Sequence, residues 1–332
     1  MGQLLQKRVL VTGGTGFVGS HLVERLFQSG HTVTCLVRDP ERLRWLTGVD
    51  VHLVKGDCSL PESLIPAVQN VSVVIHAAGL TKAKRARDYY EVNQVGTRNI
   101  IEACVRHNPG IEKFILISSL AAAGPSTDGR PVTDDDTPQP VSDYGKSKLF
   151  GENEALRSKD RLPLVILRPS AVYGPRDRDM FELFHWAARG LTLEIAGGDR
   201  YISPCFVQDL VTAILLAVEK KTESGSIYFV AENRAYSWSE FRQVLLTTGG
   251  IKARNIKIPY AVAYFVGLFS ELGSLFTSRP TLTNRQKINE AVQRYWTCDL
   301  GKIEKELGFR PEYPLQKGLE ITWQWYRDNG WL

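Results

Sequence analysis

Cysteines are few and form no pattern. Cys35, Cys58, Cys104, Cys205 and Cys298 are odd in number, far apart, and include no C-x-x-C pair. That argues against a disulfide framework and a zinc site, and the expectation is reduced thiols in a cytoplasmic protein with no metal. Dense basic blocks are also missing. The net charge of +5 is thinly spread, so no nucleic-acid partner is expected. Apolar runs are short. The segment Tyr260–Phe269 has about ten residues, under the ~20 needed to cross a bilayer; packing is its first reading, weak contact with a membrane surface its second. The chain shows no internal repeat and no low-complexity linker. Its start runs almost directly into a strand, with no room for a secretory leader. Met1-Gly2 fails as a myristoylation signal because residue six is Gln6. What remains is a chain of 332 residues, 43% hydrophobic and 23% charged, able to bury a large core.

The rest of the chain is organised around Val9–Gly19, V-L-V-T-G-G-T-G-F-V-G. Val9, Leu10 and Val11 read as a strand buried on both faces. Glycines follow at Gly13, Gly16 and Gly19, and an amphipathic helix starts at Phe17. In that context Gly13 allows the tight turn, Gly16 a close approach of a pyrophosphate, and Gly19 close packing of helix on strand. The unpaired N–H groups of Gly13, Thr15, Gly16, Phe17, Val18 and Gly19 would hold the pyrophosphate at the positive helix end.

Strands and helices then alternate, which predicts a parallel sheet covered on both faces. Expected strands are 31–37, 51–54, 71–76, 114–117, 163–168 and 227–230, with helices over 88–107, from Ser142 or Asp143, 180–189 and 207–219. Arg38 ends the second strand, about twenty residues past the glycine loop, where such folds meet the adenosine ribose. An arginine there suits the 2′-phosphate of NADP; Arg38 as a loop charge with Asp39 reaching the ribose of NAD is the alternative. Asp57, beside Cys58, is placed to accept from the adenine amino group. Ala77, Ala78 and Gly79 leave room for a ligand at a strand end, and His76 before them reads as structural. Lys82–Arg87 and Asp134–Asp136 read as solvated surface, with anionic-substrate binding a second reading for the basic run.

Tyr144 and Lys148 are four residues apart on one helix, hence on one face. An ammonium beside a phenol lowers its pKa toward the range of a general acid–base. Ser119, at the end of the strand 114–117, is placed to hold a substrate oxygen. Behind a complete dinucleotide loop, the three together indicate hydride chemistry on an alcohol or ketone.

These pieces resemble the extended short-chain dehydrogenase/reductases, the superfamily of the NAD(P)-dependent epimerase/dehydratases. The resemblance rests on Thr12–Gly19, Gly56-Asp57, His76–Gly79, Val92–Thr97, Ser118-Ser119, Tyr144–Lys148 and Arg168–Pro175. It implies a Rossmann-type doubly wound α/β fold of about seven parallel strands and a smaller, mainly helical substrate lobe. Residues 1–175, with 203–231 returning, would be the nucleotide domain, and 176–202 with 232–332 the lobe. It implies Ser119, Tyr144 and Lys148 as the catalytic trio, and Asn93, Pro169 and Ser170 beside the cofactor. The helices over 88–107 and 143–158 pair across a dimer in many relatives, which implies a homodimer.

Departures from the family narrow the substrate. Nucleotide-sugar members carry an asparagine two residues before Tyr-Gly-Pro, and here that position is Ala171. Their arginine before V-x-D is also missing, although Arg200 lies close. Arg168-Pro169-Ser170, Arg38 and the tail 295–311 are similar to the branch of dihydroflavonol reductases and 3β-hydroxysteroid or sterol-carboxylate dehydrogenases. The expectation is an NADP-preferring oxidoreductase acting on a fairly apolar small molecule. The alternatives are a nucleotide-sugar epimerase or dehydratase with retained NAD, and a non-catalytic NADP-binding scaffold.

Overall fold

The strands β1 (Arg8–Thr12), β2 (Thr32–Val37), β3 (His52–Lys55), β4 (Val73–His76), β5 (Lys113–Ile117) and β6 (Leu164–Pro169) run parallel in a computed structural model. It describes residues 6–262, 264–265 and 285–332. The chain leaves the sheet through β7 (Ala171–Tyr173), β8 (Leu191–Ile195), β9 (Tyr201–Ile202) and β10 (Pro204–Phe206), and returns with β11 (Ser226–Val230). The sheet has seven strands in the order β11-β6-β5-β4-β1-β2-β3. Sequence neighbours diverge between β1 and β4, and this switch point opens a crevice at the carboxyl ends of the strands.

The strand pattern explains the two-faced core. Along β1, Val9 and Val11 point to one side and pack with Leu22, Leu26, Leu210 and Ile214. Leu10 points to the other and packs with Ile100, Cys104 and Phe114. A third cluster, with Tyr173, Phe184, Trp323 and Tyr326, forms the core of the lobe. The aromatic tail is therefore packing: Trp323 and Tyr326 are buried.

Three local features differ from the expectations. The helix over 88–107 is interrupted by a π-helical turn, Glu91–Val95, between Ala86–Tyr90 and Gly96–His107. The lobe also carries β12 (Tyr236–Ser237), β13 (Arg254–Ile258) and β14 (Tyr295–Trp296), paired as β12-β9-β14 and β13-β8. Strands of two residues are too short to show a period. The acidic run is engaged, not merely solvated: Asp134 pairs with Lys302, and Asp136 with Arg130.

Among the described residues no helix is long and apolar enough to cross a membrane. Tyr260, Val262 and Phe265 are exposed. Residues 263 and 266–269 of the segment considered for membrane contact lie outside the described residues, as does Met1-Gly2.

Candidate active site

The glycine loop closes over the end of β1. Gly13 has φ +75°, and a methyl there would lie 2.6 Å from the backbone nitrogen of Ala78. A methyl on Gly19 would lie 2.2 Å from the carbonyl oxygen of Gly13. The helix Phe17–Gln28 thus packs on the loop itself, a correction to the reading of Gly19 as a helix–strand contact. Gly16 is its N-cap, and no side chain caps it. Thr15, Gly16, Phe17 and Val18 are half-buried at the crevice.

Beyond β2, Arg38 is exposed and has no ion-pair partner among the described residues. Asp39 is engaged: Oδ1 accepts from the backbone of Glu41 at 3.1 Å, and Oδ2 lies 3.3 Å from Arg42 Nε. Asp57 Oδ1 accepts from the backbone and hydroxyl of Ser59, each at 2.8 Å. Burial pushes the Cys58 thiol up to about 12, and its carbonyl accepts from Asn99 Nδ2 at 2.9 Å.

Ala77, Ala78 and Gly79 continue from β4, and a directed chain of hydrogen bonds fixes them. Ala78 N–H donates to Thr12 Oγ1 at 3.1 Å, and Thr12 Oγ1 lies 2.7 Å from His76 Nδ1. His76 Nε2 lies 3.1 Å from Thr97 Oγ1, whose own proton goes to the Asn93 carbonyl at 2.7 Å. Assigned from this network, His76 carries its proton on Nε2 and accepts from Thr12. Burial, with the charge of Lys148, pushes its pKa down to about 3, so it is a neutral structural residue. The Asn93 amide is spent as well. Its Oδ1 accepts from Leu80 N–H at 2.8 Å, and Nδ2 donates to Leu80 O at 3.0 Å and Ser147 Oγ at 2.9 Å. It braces the β4 loop against the Tyr144 helix.

Ser119, Tyr144 and Lys148 come together beside this loop. Ser119 caps the turn Leu120–Ala123, accepting from Ala121 N–H at 3.1 Å. Ser142 Oγ caps the helix Asp143–Leu156 by accepting from Gly145 N–H at 3.0 Å. A methyl on Gly145 would lie 2.3 Å from Ala121 O, and this close contact brings Tyr144 to Ser119. The Ser119 hydroxyl hydrogen-bonds the phenol and lowers its pKa, but burial dominates and holds Tyr144 above the usual tyrosine value. Glu290, Asp179 and Tyr89 push it further up. Lys148 donates instead to Ile117 O at 2.8 Å, and burial brings its pKa down to about 8 against the charge of Glu152. The expected lowering of Tyr144 by Lys148 is therefore not seen in the protein alone, because the ammonium is turned to the backbone.

Residues 9–231 match the NAD dependent epimerase/dehydratase family. The chain belongs to that family. A ceramide reductase of Caulobacter vibrioides is 32% identical over 98% of this chain and 96% of its own length. A decarboxylating sterol-4-alpha-carboxylate 3-dehydrogenase of Mus musculus is 27% identical over 96% of this chain and 90% of its own. The solved structure of MoeE5 in complex with UDP-glucuronic acid and NAD has a TM-score of 0.78 at 27% identity, covering 97% of this chain and 99% of that one. The protein is accordingly an NAD(P)-dependent oxidoreductase of the extended short-chain dehydrogenase/reductase type.

The residues present fit the family's dinucleotide. No side chain caps the helix start at Gly16, although the Gly16 N–H itself donates to Gly13 O at 3.0 Å, a correction to its expectation as an unpaired group, and Ser170 Oγ is buried without a partner. Pro169 pairs with Val230 in the sheet, and Ser170 N–H donates to Val230 O at 3.0 Å, which fixes that loop. Among the described residues no group of three metal-ligating side chains is found. The sequence reading missed three contacts around the site. Lys82 pairs with Asp179. Ser142 Oγ donates to Glu290, which follows the residues outside the description. Glu152 joins Ser118 and Arg168 in a fully buried cluster. Only Glu152 left a trace, an acid one turn beyond Lys148.

Proposed function

We propose that the protein transfers hydride between NADP and a secondary alcohol or ketone of an apolar, lipid-like molecule. The observation that carries this reading is the fate of the cations a diphosphate would need. Lys82 is tied to Asp179. Arg200 directs its two terminal nitrogens to the carbonyls of Ile195 at 2.6 Å, Ala196 at 3.2 Å and Gly198 at 3.3 Å, with Nε buried and unpartnered. The carboxyl group of Glu290 acts on Tyr144 and raises its pKa, a charge that disfavours an anionic substrate beside the phenol. The names of the ceramide and sterol relatives agree with this. For NADP, the support is Arg38, exposed and without an ion-pair partner among the described residues, beside an Asp39 that faces Arg42.

The glycine loop, Ala77–Gly79, Asp57, Pro169 and Ser170 would hold the dinucleotide, with Arg38 at a 2′-phosphate and Lys148 at the nicotinamide ribose. When bound, the nicotinamide gives or takes the hydride. Tyr144 exchanges the proton of the substrate oxygen. Ser119, oriented by Ala121 N–H, holds that oxygen. Lys148 gives one of its three ammonium protons to Ile117 O, which leaves two for the nicotinamide ribose, and its charge lowers the pKa of the phenol where the two approach. The lobe formed by 176–202 and 232–332 would cover the substrate.

A nucleotide-sugar epimerase with retained NAD is the second reading, favoured by the likeness to MoeE5. NADPH oxidation with a long-chain ketone in detergent micelles tests the first. Tyr144→Phe should lower turnover at least ~100-fold while leaving NADPH affinity nearly unchanged. Full turnover in that variant would remove Tyr144 as the acid–base. NAD released on denaturing fresh protein would move the assignment to the epimerase.

A further inference from the structure

The Glu152 carboxylate touches three elements of the site at once. It is 0% exposed, and Arg168 is 2% exposed. Arg168 donates from Nε to Oε1 at 3.0 Å and from its terminal nitrogen to Oε2 at 2.7 Å. Ser118 Oγ donates to the same Oε1. Ser118 immediately precedes Ser119, and Arg168 immediately precedes Pro169-Ser170. Lys148 lies one turn before Glu152 on the same helix face.

We propose that Glu152 is a positioning residue of the reaction, one carboxylate that sets the serine step at the end of β5, the proline–serine step at the end of β6, and the charge beside Lys148. This role for Glu152 rests on Ser119, Tyr144 and Lys148 being the reacting groups. A buried ion pair is seldom needed for stability, since apolar side chains of similar volume serve as well. Its value lies in direction. The bidentate fork fixes the carboxylate plane, and that plane fixes Ser118 Oγ. Ser118 and Ser119 both meet the helix Asp143–Leu156, at Glu152 and at Tyr144, so a fixed Ser118 sets the backbone from which Ser119 reaches the phenol. The Arg168 guanidinium is further held over the Phe229 ring, 5.5 Å from its centroid. The titratable and charged groups around Lys148 are Tyr144 and Glu152 on its own helix, neutral His76 on β4, and Arg168 on β6 through Glu152. Of these, Glu152 is the one that favours the ammonium.

Two readouts on the full chain test this. The first is NADPH oxidation with a long-chain ketone in micelles. Ser118→Ala removes one hydroxyl and should lower kcat about tenfold with KM nearly unchanged. In a Ser119→Ala background the same change should cost little more, because its effect passes through Ser119. The second is NMR titration of reductively ¹³C-methylated lysines in protein without cofactor, with Lys148→Arg assigning the resonance. Glu152→Gln should move the Lys148 midpoint below its value in the parent protein. If Glu152→Gln does not fold, the paired change Glu152→Leu with Arg168→Met removes the charges together. It should fold and still lose about tenfold in kcat. Unchanged kcat in Ser118→Ala and in the paired variant, additive losses with Ser119→Ala, or an unmoved Lys148 midpoint in a folded Glu152→Gln would overturn the proposal. Full turnover in both Ser119→Ala and Tyr144→Phe would instead overturn the underlying catalytic reading, and the NMR titration would still decide the effect of Glu152 on Lys148.

Discussion

Lys148 donates its ammonium to the carbonyl oxygen of Ile117, 2.8 Å away at the end of β5. Burial lowers its pKa from 10.5 to about 8. Between those values the unfolded chain binds a proton that the native protein has lost, so this group makes stability rise with pH. Its destabilising effect is full below about pH 8 and gone above about 10.5. The stability difference between the parent protein and Lys148→Met should therefore shift in favour of the parent across that window. Urea unfolding midpoints at several pH values check this, and a constant difference would show that Lys148 titrates normally.

Gly19 and Gly30 separate packing from backbone freedom. A methyl on Gly19 meets Gly13 O at 2.2 Å, whereas Gly30, at φ +82°, has open space around it. Gly30→Ala should cost about 1–2 kcal/mol through its left-handed backbone and leave NADPH affinity alone. Gly19→Ala should displace the loop and weaken NADPH at least about tenfold. Fluorescence titration of NADPH with thermal melts of both variants tests the pair. Equal affinities would mean the loop absorbs the methyl.

The legible parts of this protein were those whose physics is local. Val9–Val11 and Val73–His76 are wholly apolar or wholly buried strands, and their runs betray them. Tyr144 and Lys148 share a helix face by spacing alone. What stayed hidden depends on distant partners or on backbone atoms, which carry no residue identity. The direction of Lys148 is set by a carbonyl at Ile117. The π turn around Asn93 is accompanied by close packing, since a methyl on Gly151 would lie 2.4 Å from Asn93 O, and no hydrophobic period reports it. The Glu152 cluster draws on β5, β6 and the Tyr144 helix together.

Arg38 and Asp39 are adjacent but not equivalent. Asp39 is oriented by Glu41 N–H and Arg42, and Arg38 extends into solvent without an ion-pair partner among the described residues. A 2′-phosphate would meet Arg38 and gain a charge-assisted contact that a hydroxyl lacks. Arg38→Glu should weaken NADPH at least about tenfold more than NADH. The ratio of the two dissociation constants is the measurement, and equal losses would assign the ribose end to Asp39.

All five cysteines are free and buried, the most exposed being Cys58 at 9% and Cys298 at 7%. Burial raises each thiol, with Cys35, Cys58, Cys104 and Cys298 at about 12 and Cys205 well above its ordinary value. Almost no thiolate exists at neutral pH, and the thiolate is the reactive form. The native protein should react only slowly with dithionitrobenzoate, and all five thiols should react in denaturant. Cys58 should label first, being the most accessible. NADPH should then slow Cys58 selectively, because a ligand bound to the native state suppresses the opening that exposes it. Fast native labelling would contradict the burial. Tight NADPH binding with no protection of Cys58 would remove the Asp57-Cys58 segment from the cofactor site.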